Sequence, residues 1–241
     1  ASTTSTPHGV DLEAAATISV DPITADDIVN AAEAGGVISV TGSVGGDASV
    51  GDLVNFTING TAYSGNVLAG NVFSISVAGA DLVAQTSFDA TVTGSDNAGN
   101  PFVASTSSSH SVDTFTSATI LVNPITSDNV INAAESGTTI TVTGSVGGDA
   151  NPGDSVSFSV NDKIYSTTVL ADNTYSIEVA GIDLAAQTSF EVSVTGTDPA
   201  GNSFTETTTS TYGVYLSSLV SINVDPITAD DIVNAAEAGG S

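Results

Sequence analysis

Oxygen donors without cations are the chemistry this chain advertises. It carries 27 Asp and Glu against a single basic side chain, Lys163, for a formal charge of −26 over 241 residues. Many of the acids sit with Asn and Gly in turn-rich stretches. Asp26, Asp27, Asn30 and Glu33 lie in ITADDIVNAAEAGG, Asp47 and Asp52 in GGDASVGD, Asp96 and Asn100 in SDNAGN, and Asp81 follows Gly79. Ca2+ takes six to eight oxygens from carboxylates, amides, carbonyls and water in flexible geometry. Softer metals want His or Cys, and the chain has two His and no Cys. Asp and Asn also favour turns for backbone reasons, so any one acid by itself reads better as a solvated turn former. The loop-end set as a whole points to Ca2+.

The same charge excludes other partners. Nucleic acid needs Lys and Arg to displace phosphate counterions, and an anionic membrane surface is disfavoured likewise. Self-repulsion of this size weakens a compact state unless salt screens it or cations bind. The chain is nevertheless 40% hydrophobic, with alternating Val, Ile and Phe, a pattern that disordered acidic segments lack. Without cysteine there are no disulfides and no thiolate site. No stretch is long and apolar enough to span a bilayer, so no membrane insertion is expected.

A stretch that begins at Thr17 recurs at Thr119 and at Ser221, a constant offset of 102 residues. In its third appearance Val224 to Gly240 repeats Val20 to Gly36 letter for letter. This period exceeds the roughly 20–50 residues of solenoid units, so each copy is expected to fold around its own core. The expected division is residues 1–13 as the tail of one repeat, 14–115 and 116–217 as two full repeats, and 218–241 as the start of another. The chain then reads as an excerpt from a longer array.

Within one repeat the alternation predicts seven short strands: Thr17–Asp21, Val37–Val44, Leu53–Ile58, Ala62–Leu68, Val72–Val77, Phe88–Thr93 and Phe102–Val112. Asn59-Gly60 is a type I′ hairpin signal. Between the first two strands, Thr24 and Asp27 are spaced like a capping box, and Gly35-Gly36 is a stop, which suggests one helical turn or a structured loop. Seven strands at this spacing predict an all-β fold of tandem immunoglobulin-like β-sandwich domains in an elongated array. The Cys–Trp–Cys trio of antibody domains is missing, so Phe56, Phe73, Phe88 and Phe102 must carry the core, with Phe158, Tyr175, Phe190 and Phe204 as their partners in the second copy.

Up-and-down strands send successive loops to opposite ends. The upstream end should hold Asp47, Asp52, Asp96, Asn97 and Asn100; the downstream end should hold Asp26, Asp27, Asn30, Glu33 and Asp81. Stacking would bring Asp26, Asp27, Glu33 and Asp81 towards Asp149, Asp154, Asp198 and Asn202, with Asp113 between them. Asp128, Asn129, Asn132 and Glu135 repeat the downstream set, and Asp183 matches that repeat's Asp81.

The runs ITADDIVNAAEAG and ITSDNVINAAESG, the loops DNAGN and DPAGN, and the connector SVDT together resemble the extender region of giant bacterial RTX adhesins. The resemblance covers both full copies and both fragments. It implies export by type I secretion to the extracellular bacterial cell surface, and long Ig-like arrays held straight by Ca2+ at the junctions. Such a monomeric rod contacts neighbouring repeats of its own chain and projects a ligand-binding tip. Carried onto this chain, the resemblance implicates Asp11, Asp96 and Asn100 at one junction and Asp113, Asp198 and Asn202 at the next. Two departures stand out. His110-Ser-Val-Asp113 becomes Tyr212-Gly-Val-Tyr215, which removes a carboxylate, and the nonapeptide pattern of RTX β-rolls is absent.

Enzymatic activity is not expected. His8 and His110 share one repeat position beside a connector, a structural placement, and no Ser–base–orienter trio is suggested. The rival reading is an Ig-like binding module that itself contacts a glycan or protein. Against it, aromatics are 5% of the chain and sit mostly in core-like positions, Tyr63 and Tyr165 excepted. Each copy would add about 40 Å to the array, from strands that rise about 33 Å per ten residues.

Overall fold

Apolar residues on alternate strand positions fill two separate cores. The computed structural model describes residues 9–217, 222–224, 232 and 235–239. The expected end fragments, 1–13 and 218–241, lie largely outside these residues, as does His8.

The first repeat runs β1 (Ala16–Val20), β2 (Ile28–Val29), α1 (Ala31–Ala34), β3 (Val37–Gly46), β4 (Leu53–Ile58), β5 (Thr61–Asn66), β6 (Val72–Ala78), α2 (Gly79–Ala84), β7 (Ser87–Ser95), β8 (Pro101–Ser109) and β9 (Ser111–Val112). A three-stranded sheet, β1-β3-β6, faces a four-stranded one, β5-β4-β7-β8, and β2 pairs β9 in parallel. The second repeat follows with β10 (Ala118–Val122), β11 (Val130–Asn132), a 3₁₀ turn (Glu135–Gly137), β12 (Thr139–Gly148), β13 (Ser155–Val160), β14 (Lys163–Thr168), β15 (Thr174–Ala180), α3 (Gly181–Leu184), β16 (Ser189–Thr197), β17 (Ser203–Thr211) and β18 (Gly213–Tyr215). Its sheets, β10-β12-β15 and β14-β13-β16-β17 with the parallel pair β11-β18, copy the first. Further on, α4 (Ala235–Ala238) repeats the AAEA of α1.

All seven expected strands are present, and the fold is all-β and immunoglobulin-like. The eight core aromatics named from sequence are buried in their respective clusters. Asn59 and Gly60 take φ values of 52° and 76°, the two positive angles of a type I′ turn. The last expected strand breaks at His110, where the chain leaves β7 and runs beside β2 instead.

One local expectation is corrected: Thr24 and Asp27 do not cap a helix. Asp27 sits at φ 60°, a left-handed angle from which no helix starts, and its carboxylate accepts the Ile23 amide (2.9 Å). Thr24 closes its own turn by bonding Ile28 at both amide and carbonyl. The capping box lies six residues later. The Asn30 side chain accepts the Glu33 amide (3.0 Å), and the Glu33 carboxylate accepts the Asn30 amide (3.0 Å). Asn132 and Glu135 repeat the exchange.

Close sheet packing depends on Gly42 and Gly144. A Cβ at Gly42 would collide with the Ser19 carbonyl and the Phe73 ring; at Gly144 it would meet the Leu121 carbonyl and Tyr175. The ring of Tyr175 fills the space of Phe73 and uses its hydroxyl to donate to Leu121 O (2.9 Å). Burial pushes that phenol's pKa up. Gly144→Ala should therefore destabilise the second sandwich by about 1–3 kcal/mol, the usual cost of overpacking, as a lower denaturant midpoint with the first sandwich's transition unmoved.

Candidate functional site

The junction between the two sandwiches is built from a connector, a cap and a loop. Leaving the first core, Ser111 donates its amide to Asp27 O (3.0 Å) and Asp113 donates to Val29 O (3.1 Å). The connector is thus held along β2, and Asp113 is delivered to the seam. On the far side, the loop between β16 and β17 is folded by its own acid. Asp198 accepts the Asn202 amide at Oδ1 and Asn202 Nδ2 at Oδ2, both at 2.8 Å, while Gly201 turns the chain at φ 84°. These bonds, led by the one from the Asn202 side chain, hold the Asp198 carboxyl below the usual carboxylate range.

Three hydrogen bonds then cross to the connector and the first repeat. Asn202 Nδ2 donates to Asp113 O (2.9 Å), Ala31 N donates to Asn202 Oδ1 (2.7 Å), and Asn30 Nδ2 donates to Ala200 O (3.1 Å). Asp198, Ala200 and Asn202 are buried there, at 6%, 3% and 5% exposure. The matching loop of the first repeat has the same internal bonds, Asp96 with Asn100 at 2.7 Å twice, and Asn100 Nδ2 reaches Asp11 O at 3.1 Å. Ala98 of that loop is exposed, and Asp96 and Asn100 are only half-buried.

The seam therefore gathers Asn30, Asp113, Asp198 and Asn202, and Glu33 braces it as part of the cap. Asp26 and Asp128 are taken up by local turns, each accepting a threonine hydroxyl and the amide two residues on. Asp47 and Asp149 hold the amides of Ala15 and Ser117, and Asp52 and Asp154 those of Ser49 and Asn151. These four bonds lie within their own repeats. The carboxylates of Asp81 and Asp183 face the hairpins. Asp81 accepts from Tyr63 (2.5 Å) and Asn59 (3.0 Å); Asp183 accepts from Lys163 (2.8 Å to each oxygen), Tyr165 (2.6 Å) and Asn161 (2.9 Å). His110 is buried, with its Nε2 against Leu82 O (2.9 Å), and Tyr212 sends its hydroxyl to the equivalent Leu184 O (3.0 Å).

Among the described residues no three His, Asp or Glu side chains converge closely enough to hold a metal by themselves. The seam fits a hard cation in another respect: its donors are carboxylates, amides and main-chain carbonyls, with no basic side chain among those named. A Ca2+ ion there would have to draw on carbonyls and water beside the acids. Sequence reading picked Asn202 for its oxygen. It missed that the same amide is a hydrogen-bonding bridge, because the partners, Ala31 N and Asp113 O, are backbone atoms without a sequence signature.

Lys163 and the hairpin phenol and amide hold Asp183 down to about 2, from an ordinary value of 3.8, with Lys163 the largest cause. A depressed folded-state value contributes stability above the unfolded value, and that contribution is lost as pH falls through the folded one. The second sandwich should lose stability between about pH 4 and about pH 2. Lys163→Met should raise the folded-state value, so that the contribution at neutral pH is smaller and the loss between these pH values shallower. The readout is a lower neutral-pH stability and a weaker pH dependence of second-repeat resonances.

No protein-family model matches the chain, and no curated protein matches it. Solved structures do. A structure described as bearing on host cell surface retention of a 1.5-MDa bacterial ice-binding adhesin is 50% identical over 85% of this chain, with a TM-score of 0.81. A second, from a Ca2+-stabilised adhesin that helps an Antarctic bacterium reach out and bind ice, is 47% identical over 97% of the chain, with a TM-score of 0.80. A bacterial immunoglobulin-like domain from the M. primoryensis ice-binding adhesin is 46% identical, covers 43% of this chain and is matched over 100% of its own length, with a TM-score of 0.39. The chain spans 66% and 57% of the first two. It belongs to the repeats of giant bacterial adhesins, with the immunoglobulin-like fold that its sheets form.

Proposed function

We propose that this chain is a structural extender segment of a large bacterial cell-surface adhesin, rigidified by Ca2+ at its domain junctions so that the array projects a distal ligand-binding tip. The observation that carries this reading is the seam itself. The connector is bonded to the repeat it leaves through Val29 O and to the repeat it enters through Asn202, so the joint is ordered on both sides. Repeats of this kind transmit position rather than chemistry. No helix among the described residues is long and apolar enough to cross a membrane. Export by type I secretion and the RTX class remain part of the same proposal, as do the boundaries 14–115 and 116–217 and the monomeric rod.

Ca2+ stabilisation is a property of one close relative and is carried to this chain as a proposal. Asp113 and Asp198 would hold the ion, since both residues touch the same Asn202 amide, with Asp27 and Glu33 on the first repeat's side. Asp11 and Asp96 would serve the upstream junction, and Glu135, the counterpart of Glu33, the downstream one. Tyr215 replaces the connector acid at that last position, so Ca2+ should bind there more weakly. When bound, the ion supplies charge that offsets the acids on both sides of a seam. Asp81 and Asp183, engaged by their hairpins, serve the sandwich instead.

Ca2+ that binds only the folded, aligned chain stabilises it by mass action. Small-angle scattering should show a larger maximum dimension and a narrower distribution in Ca2+ than in chelator, together with a higher melting temperature. An unchanged dimension and melting temperature would remove Ca2+ from the proposal.

A further inference from the structure

We infer that the seam is closed by a metal-independent amide latch in which Asn202 fastens the second sandwich to the first. The inference deepens the extender reading and rests on it: the latch limits the hinge by itself, and the ion would stiffen it further.

The Asn202 side chain offers two N–H donors and a carbonyl acceptor, and the seam uses all three. The donors go to Asp198 Oδ2 and Asp113 O, and the acceptor takes Ala31 N. One planar group thus ties together its own loop, the connector and the first residue of α1. Asn30 adds a second strand to the fastening through Ala200 O. The bonds to Ala31, Asp113 and Ala200 join neutral groups, so neither salt screening nor removal of a cation weakens them directly.

The first repeat supplies the comparison. The Asp96–Asn100 loop has the same shape, with Asn100 reaching Asp11 O as Asn202 reaches Asp113 O. Among the described residues nothing donates to Asn100 Oδ1, and Ala98 is exposed where Ala200 is 3% exposed. The difference between the two loops is the area that Asn30 and Ala31 cover. The latch surface is therefore built by the loop itself, through its acid and its glycine, and it accepts the Asn–Ala cap of the sandwich before it.

Ala31→Pro offers a clean test. The position is the first of a helical turn, where proline is favoured, and Asn30 already has the extended backbone (φ −88°, ψ 177°) that a following proline requires. The substitution removes the N–H aimed at Asn202 and puts the ring Cδ in its place. With the nitrogen only 2.7 Å from Asn202 Oδ1 there is no room for that carbon, so the latch cannot close. Hydrogen exchange at the Ala31 amide of the full chain in chelator gives the direct reading. In the unsubstituted chain it should be about tenfold slower than in an unprotected peptide, the scale of one such hydrogen bond, and Asn202→Ala should abolish the protection. Residual dipolar couplings in chelator should show the two sandwiches less well aligned in Ala31→Pro, with the couplings inside each core unchanged. If Ala31→Pro fails to fold, exchange in Asn202→Ala decides alone. An Ala31 amide that is unprotected in chelator and slows only with Ca2+ overturns the latch and leaves the extender intact. Protection in chelator with scattering indifferent to Ca2+ supports the latch and removes the ion from the extender reading.

Discussion

A chain with 27 carboxylates and one cation must satisfy nearly every acid with a neutral donor, and most of its loop structure follows from that constraint. Backbone amides do much of the work. Asp26 and Asp128 take the amide two residues on, Asp27 reaches back to Ile23, and Asp52 and Asp154 close identical turns at Ser49 and Asn151. Asp96 and Asp198 each engage an asparagine at both amide and side chain. The acids shape the loops from within, and the seam is assembled from loops so shaped. Repulsion among them is the cost, and a cation bound where two acidic ends meet would relieve it.

Strand positions were legible in the sequence because a half-buried strand imprints period two on its residues. Phe56, Phe73, Phe88 and Phe102 fell on inward positions for that reason, and the Asn59-Gly60 turn was legible from its demand for positive φ. The parallel pair of β2 and β9 was not. Two or three residues carry no measurable period, and the pairing is set by contacts with segments eighty residues distant. The capping box was placed at Thr24 rather than Asn30 because both spacings satisfy the pattern. Only the left-handed turn at Asp27 separates them. At the seam, Asp113, Asp198 and Asn202 were readable as a repeating set of oxygen donors, while Asp81 and Asp183 were drawn away by Tyr63 and Tyr165, partners that sequence spacing does not reveal.

The two copies keep one design while exchanging the atoms that satisfy it. Asp81 is held by a phenol and an amide; Asp183 has these and Lys163 as well. An imidazole serves the Leu82 carbonyl, and a phenol serves the matching Leu184 carbonyl. Geometry is preserved because the acceptor is a fixed backbone atom, and any donor that reaches it suffices.

The replacement of Phe73 by Tyr175 bears on how neighbouring copies reach their own folds. Tandem domains with interchangeable strands can trade them during folding and become trapped in misassembled pairs. A β15 segment placed in the first sandwich could offer the Tyr175 hydroxyl to the matching Ser19 carbonyl, but β6 placed in the second would leave the Leu121 carbonyl without its phenolic partner. A small difference between adjacent cores thus disfavours the exchange. An array of identical units would forgo that discrimination.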